Sequence, residues 1–148
     1  ALSRQKVSYI NPDNSKENKC EKGAYTVHLT SHESTVTLVA SGTEVELALN
    51  VQKKLKENNI HSKVVSMPCM ELFDKQPEEY QRDILEEDTL IVTLEAGSIM
   101  SWQKYIKNKG LNLGIDKFGE SAPYKEVYDH FKLSEESVTN FIQKKLRE

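Results

Sequence analysis

The residues that could bind a ligand or act in catalysis lie in two short polar segments, each next to a strongly apolar run. One segment follows the β-branched run at 35–40, and the other closes the apolar run at 89–95. A turn from a strand into a helix directs backbone amides toward solvent, where an anion can bind. A buried glutamate with a raised pKa can act as a general acid or base. The candidate ligand crevice formed by these segments consists of Ser41, Gly42, Thr43, Glu95, Gly97 and Ser98.

A structural role for both segments is the competing interpretation. The first turn has a single glycine and no basic side chain, and Glu44 places a negative charge where a phosphate would lie. Glu95 would then be held by backbone amides or by a basic partner such as Lys117, and Gly97 would let a helix begin close to the sheet. These residue types favour the structural interpretation, although ligand binding stays open.

Aromatic and histidine side chains elsewhere show no spacing that predicts a separate site. Trp102 and Tyr105 are three residues apart, which permits a stacking platform but is more typical of core or interface packing. The four histidines lack the i, i+4 spacing of metal ligands. The sequence therefore predicts no metal site.

Strand and helix patterns alternate along most of the chain, after a polar stretch at 6–22 that is typical of a linker. Alternation at this spacing requires right-handed crossovers and a largely parallel sheet covered on both faces. We therefore predict a three-layer α/β/α sandwich with a five-stranded, mostly parallel sheet, in which 25–29 is the one antiparallel strand. The predicted strands are 25–29, 35–40, 63–67, 89–95 and 111–115, and the predicted helices are 43–57, 70–73, one beginning at Pro77, 99–106, 124–131 and 134–146.

The composition limits the possible partners and the compartment. The 148 residues suit about one domain, and 20 basic and 23 acidic residues are mixed along the chain, so no basic stripe for nucleic acid is present. No apolar run has the length needed to span a membrane. The two cysteines lie far apart without a CxxC spacing, which favours a reducing, cytoplasmic location. Because the chain begins at Ala1 rather than Met, we expect a piece of a longer protein.

Five motifs in register connect the chain to a known family. They include Ala-Ser-Gly-Thr-Glu-Val-Glu-Leu-Ala at 40–48 and Gly-Ile-Asp-Lys-Phe-Gly-Glu-Ser-Ala-Pro at 114–123, which continues to 131. The chain resembles the C-terminal domain of transketolase over nearly its whole length. The resemblance implies that 1–22 is the end of a preceding domain with a linker and that 23–148 is the C-terminal domain. The three further motifs are Lys-Val-Val-Ser-Met-Pro at 63–68, Phe-Asp-Lys-Gln at 73–76, and Glu-Ala-Gly-Ser with Ser-Trp-Gln-Lys-Tyr within 95–105.

The resemblance implies an enzyme that transfers a two-carbon ketol unit from a ketose phosphate to an aldose phosphate in the pentose phosphate pathway. Its thiamine diphosphate and Mg²⁺ (or Ca²⁺) would be bound by domains outside this chain. The chain itself would have a structural role, carry no catalytic residue and support a homodimer. Ala1-Leu2-Ser3-Arg4-Gln5 resembles the end of the family's middle domain, so Arg4 is expected to bind the sugar phosphate in the full enzyme. At Lys117 many relatives have arginine, which weakens any prediction of a specific anion contact there.

Other classes of function stay open at this point. The chain could be a regulatory small-molecule-binding module that uses the crevice, or a protein-interaction module. It could also be the same domain of another thiamine-diphosphate enzyme, such as deoxyxylulose-phosphate synthase. The Phe-Gly-Glu-Ser-Ala-Pro segment at 118–123 favours transketolase over that relative.

Overall fold

A mixed β-sheet organises the domain, with helices on both of its faces. The structure, a computed structural model, describes residues 5–10, 18–106 and 110–148. Within these residues five strands form one sheet in the order β1-β3-β2-β4-β5, with β1 antiparallel to β3 and the other pairs parallel. The predicted α/β fold with one antiparallel strand is confirmed. The strands are β1 (Tyr25–Leu29), β2 (Val36–Ala40), β3 (Ser62–Ser66), β4 (Leu90–Leu94) and β5 (Leu111–Leu113).

The central strands are buried on both faces, which explains their continuous apolar composition. All five residues of β2 are buried, and successive side chains point to opposite sides. Leu38 packs into the core on one face of the sheet, whereas Val39 packs into the core on the other. The sheet is therefore the middle layer of a three-layer sandwich.

Helices divide between the two faces. Helix α1 and the C-terminal helix α6 cover one face, while the short helices α2, α3 and α4 cover the other. The helices are α1 (Glu44–Glu57), α2 (Met70–Phe73), α3 (Glu78–Leu85), α4 (Gln103–Ile106), α5 (Tyr124–His130) and α6 (Glu135–Lys145), with 3₁₀ turns at Lys19–Lys22 and Met100–Trp102. No helix in the described part of the chain has the length and apolar composition needed to cross a membrane.

Two segments differ from their predicted form. The predicted helix at 99–106 is a 3₁₀ turn, Met100–Trp102, followed by α4, Gln103–Ile106. Asp116 Oδ1 accepts a hydrogen bond from Ile99 N at 3.1 Å, just before the 3₁₀ turn. Within the predicted linker, Lys19–Lys22 forms a 3₁₀ turn, since Asn18 Oδ1 accepts a hydrogen bond from Cys20 N at 3.2 Å. Of the described residues before it, Ile10 packs against the core.

The crossovers leave a divergence point at the carboxyl edge of the sheet. The chain passes from β2 through α1 to β3 on one side, and from β4 through α4 to β5 on the other. In open α/β sheets such a switch point opens a crevice between the two strand ends. The ends of β2 and β4 are therefore where a site is expected.

Candidate functional site

The structure brings the two crevice segments to one edge of the sheet. Ala40 is aligned with Leu94 in the parallel pair β2–β4, so Ser41 and Glu95 leave the sheet side by side. The six predicted crevice residues thus flank the switch point. Whether a ligand binds there stays a prediction.

Internal hydrogen bonds hold the segment after β2. Gly42 has a φ of +55°, a left-handed conformation that favours glycine. The hydroxyl of Thr43 donates to Glu44 Oε1 at 2.8 Å, and Glu44 is 5% exposed at the start of α1. The carboxylate at this turn disfavours a bound phosphate.

Among the residues that the structure describes, the side chain that holds Glu95 is an indole rather than a basic group. Glu95 Oε2 accepts a hydrogen bond from Trp102 Nε1 at 3.1 Å. Burial raises the pKa of Glu95 above its usual range, and the nearby charge of Glu44 acts in the same direction. Of the expected partners, backbone amides or a basic side chain such as Lys117, the second is placed elsewhere: Lys117 Nζ lies 5.0 Å from the centroid of the Phe131 ring, whereas the Glu95 carboxylate accepts from Trp102.

At this edge of the sheet, Gly114 is the glycine whose backbone packs most closely against a neighbouring loop. A Cβ atom there would lie 2.4 Å from Ile99 Cγ2 and 2.8 Å from the carbonyl oxygen of Gly97. A Cβ atom at Gly97 would have Glu95 Oε1 as its nearest neighbour, at 3.4 Å, which is an ordinary contact distance. The close packing that was expected at Gly97 is therefore found at Gly114. Ser98 joins the same loops, since its hydroxyl donates to Asp116 Oδ1 at 3.0 Å.

A hydrogen-bond chain beside the crevice connects α5, α1 and the N-terminal segment. The Tyr128 hydroxyl donates to Glu44 Oε1, and Gln5 Nε2 donates to Tyr128 Oη at 3.2 Å. Burial raises the pKa of Tyr128 to about 12, and the bond to Glu44 adds to the shift. Sequence analysis missed this chain because Tyr128 lies 84 residues from Glu44 and no local pattern links them.

The sugar-phosphate residue predicted from the resemblance, Arg4, lies outside the described residues. Its neighbour Gln5 is described and participates in the chain of hydrogen bonds above. The role of Arg4 stays a prediction.

Trp102 and Tyr105 belong to the core, as the packing interpretation predicted. They are 2% and 5% exposed, with ring centroids 6.3 Å apart. The Tyr105 hydroxyl donates to Asp74 Oδ1 at 2.8 Å, and Lys104 forms an ion pair with Asp74. These contacts tie α4 to the end of α2.

A cavity of about 530 Å³ lies next to the crevice, between the N-terminal segment, α1, α5 and the start of α6. Thr43 is the one crevice residue that lines it. Its charged lining is mixed, with Lys6 and Lys125 as well as Glu46 and Asp129, so no single ligand charge is favoured.

The donor set of the described residues does not fit a metal-bound diphosphate. No group of three or more His, Cys, Asp or Glu side chains that could hold a metal ion occurs within them. At the crevice both Glu44 and Glu95 present carboxylates, and each accepts a hydrogen bond from another side chain. The domain is therefore a doubly wound α/β fold in which side chains at the carboxyl edge of the sheet form hydrogen bonds with one another.

Comparison with known proteins identifies the family. The family described as "Transketolase-like TK C-terminal domain" matches residues 23–134. The chain is 39% identical to the transketolase of Aquifex aeolicus (strain VF5) over 97% of its own length, and 41% identical to that of Bacillus subtilis (strain 168) over 83%. The chain belongs to the transketolase family and corresponds to its C-terminal domain.

Solved transketolases have the same fold. A mutant transketolase from Pichia stipitis in complex with fructose 6-phosphate superposes with a TM-score of 0.80 at 32% identity, over 87% of this chain and 18% of that one. Transketolase from Leishmania mexicana gives a TM-score of 0.75 at 36% identity, over 83% of this chain and 18% of that one. This chain spans 21% of the Aquifex relative and 19% of the Bacillus relative, about a fifth of each.

Proposed function

We propose that this chain acts as the C-terminal domain of a full-length transketolase, which transfers a two-carbon ketol unit from a ketose phosphate to an aldose phosphate in the pentose phosphate pathway. The observation that carries the proposal is the 39% identity to the Aquifex aeolicus transketolase across 97% of the chain. Because the chain spans about a fifth of that relative, the reaction belongs to the larger polypeptide.

In this proposal, the cofactor is bound by the other domains of the enzyme. Thiamine diphosphate with Mg²⁺ or Ca²⁺ would supply the carbanion chemistry of ketol transfer. Two carboxylates at the switch point, Glu44 and Glu95, would repel a diphosphate there. The described residues would therefore have a structural role and would supply no group that binds the cofactor.

The proposed role of the domain is to support the preceding domains and the homodimer. Residues 1–22 would connect it to the rest of the enzyme, and 23–148 would form the domain itself. A cytoplasmic location is supported by the cysteine pattern, although plant relatives such as the maize enzyme are named chloroplastic. The mixed charge pattern does not favour nucleic acid as a partner, and the proposal includes no membrane partner.

Arg4 is the residue to which we assign a direct substrate contact. An arginine offers a planar, permanently charged fork that binds phosphate oxygens bidentately. A charge-assisted hydrogen bond contributes about 1.5–3 kcal/mol, which applies only to substrates that carry the phosphate.

Donor kinetics of the full-length enzyme test this assignment. Arg4→Ala should raise the KM for xylulose 5-phosphate about tenfold or more and leave the KM for unphosphorylated xylulose nearly unchanged. Arg147→Ala, at an exposed position near the C-terminus, removes the same charge and should alter neither value. Absence of ketol transfer by the full-length protein would refute the proposed activity, and equal effects of Arg4→Ala on both donors would refute the role of Arg4.

A further inference from the structure

Three large apolar side chains are exposed at the carboxyl edge of the sheet. Phe118, in the loop after β5, is 97% exposed, Met100 after β4 is 80% exposed, and Tyr124 at the start of α5 is 51% exposed. In the rest of the described chain, only Val7 and Tyr9 of the N-terminal segment are large apolar side chains that are more than half exposed. A single exposed apolar residue is common, but a group of them marks an interaction surface. We call Met100, Phe118 and Tyr124 the edge patch.

Hydrogen bonds join the two loops that carry Met100 and Phe118. Asp116 Oδ1 accepts from Ile99 N at 3.1 Å and from the Ser98 hydroxyl at 3.0 Å. Met100 follows Ile99 directly, and Phe118 is two residues after Asp116. The two exposed side chains therefore come from one connected loop surface.

The loop holds Phe118 from both sides of the sequence. Ile115 N donates to the carbonyl oxygen of Gly97 at 2.7 Å, and Lys117 Nζ lies 5.0 Å from the centroid of the Phe131 ring. A side chain on an anchored backbone loses less conformational freedom when a partner binds. Aromatic side chains of this kind fill pockets at the centres of interfaces. The matching partner is a protein surface with an apolar pocket.

The N-terminal segment is bound to the domain beside the edge patch. Gln5 Nε2 donates to Tyr128 Oη at 3.2 Å, and the ring of Tyr128 lies 6.1 Å from that of Tyr124. The hydroxyl of Ser8 donates to Glu46 Oε1 at 2.6 Å, which attaches the same segment to α1. Because consecutive Cα atoms are only about 3.8 Å apart, a domain that precedes this segment is tethered next to the patch.

The length of the relatives indicates which partner this is. The chain spans 21% of the Aquifex aeolicus transketolase, so about four-fifths of that polypeptide has no counterpart here. In the proposed function the remainder includes the preceding domains, which connect through the N-terminal segment. A tethered surface reaches its site at a high effective concentration, whereas a second molecule must arrive from solution. The tether therefore favours the preceding domains over a second copy of this chain.

We propose that the edge patch is the docking surface for the preceding domains of the same polypeptide, which receive Phe118 in an apolar pocket and cover Met100 and Tyr124. This inference rests on the proposed function, because it requires that the chain be one domain of a longer enzyme. It identifies the surface through which the domain supports the rest of that enzyme.

Thiol accessibility in the full-length enzyme tests the proposal. Phe118→Cys and Met100→Cys are each labelled with N-ethylmaleimide, and mass spectrometry separates the labelled peptides from those of the native Cys20 and Cys69. At each position the labelling rate in the folded enzyme is divided by the rate in urea-unfolded enzyme. Docking should slow labelling at both positions about tenfold or more. A position 118 that stays exposed would react at nearly the unfolded rate.

Phe141→Cys is the matched control. Phe141 is also an exposed phenylalanine, but it lies in the second half of α6 and is 41% exposed. Since Phe118 is the more exposed of the two in this domain, an undocked domain would label faster at Phe118→Cys. Docking reverses that order, so Phe118→Cys should react more slowly than Phe141→Cys.

The outcomes separate this proposal from the proposed function. Fast labelling of Phe118→Cys in an enzyme that transfers ketol units overturns the docking and leaves the proposed function standing. Slow labelling in a full-length protein without ketol transfer supports the docking and refutes the proposed activity. Slow labelling that becomes fast once the enzyme is diluted until it is monomeric assigns the patch to a second subunit and overturns the docking. If Phe118→Cys does not fold, Met100→Cys alone decides.

Discussion

Trp102 donates its indole N–H to Glu95 Oε2 at 3.1 Å and so connects the core beneath one face of the sheet to the carboxyl edge. The indole is 2% exposed, and Glu95 is the first residue after β4. Partial burial disfavours the ionised form of Glu95 and raises its pKa, and this effect outweighs the hydrogen bond from Trp102, which lowers the pKa. Glu95 therefore contributes to the pH dependence of stability in a predictable direction.

We predict that Glu95→Gln stabilises the chain at pH 7. The pKa of Glu95 is raised above its ordinary value of 4.5, so the folded state binds the proton more tightly than the unfolded state, and stability falls as pH rises through the window above 4.5. Glutamine resembles the protonated form and keeps an acceptor for Trp102. Urea denaturation should show a gain at pH 7 that disappears below about pH 4.5, whereas Glu120→Gln in an exposed loop should show none. A gain that persists unchanged at low pH would contradict the prediction.

Asp74 should have the opposite pH dependence. Burial acts to raise the pKa of Asp74, but hydrogen bonds from Lys104 and Tyr105 outweigh it and lower the pKa below 3.8. The stabilisation is present above pH 3.8 and is lost as pH falls toward the lower folded value. Asp74→Asn should cost about 1 kcal/mol at pH 7, since the ion pair is largely exposed, and the cost should shrink in acid. Urea midpoints measured from pH 7 downward check this, and a cost independent of pH would exclude the charge as its source.

Gly114 should not tolerate a side chain. A Cβ atom there would lie 2.4 Å from Ile99 Cγ2 and 2.8 Å from the carbonyl oxygen of Gly97, so Gly114→Ala must separate the loops after β4 and β5. We expect a loss of about 1–3 kcal/mol in the free energy of unfolding. Gly119→Ala is the control, because no atom lies within 4 Å of its Cβ position. Similar urea midpoints for the two variants would show that the loops can separate without cost.

The isolated chain should not bind thiamine diphosphate. The carboxylates at its switch point, Glu44 and Glu95, oppose a diphosphate, and the described residues contain no group of three metal ligands. Isothermal titration of the 148-residue chain with thiamine diphosphate and Mg²⁺ should give no saturable heat, while the full-length enzyme should give a clear isotherm. Saturable micromolar binding to the isolated chain would assign cofactor ligands to this domain.

The alternation of buried strands with helices was readable from the sequence. The β-branched run at Val36–Ala40 and the helical spacing at Glu44–Glu57 are signals within a few residues, so β2 and α1 were predicted almost to their ends. The polar and apolar alternation of Tyr25–Leu29 likewise predicted the antiparallel edge strand. Five motifs in register identified the family, because each lies within one short segment.

Contacts between distant segments were decided only by the tertiary structure. Tyr128 meets Glu44 across 84 residues, and Gln5 meets Tyr128 across 123, so neither pair leaves a local pattern. The indole partner of Glu95 was not predicted, because an indole donor cannot be distinguished from a basic one until the packing of Trp102 is known. Local periodicity determines which segments form strands and helices, whereas side-chain partners depend on how those elements pack, and packing is set by contacts that sequence spacing does not encode.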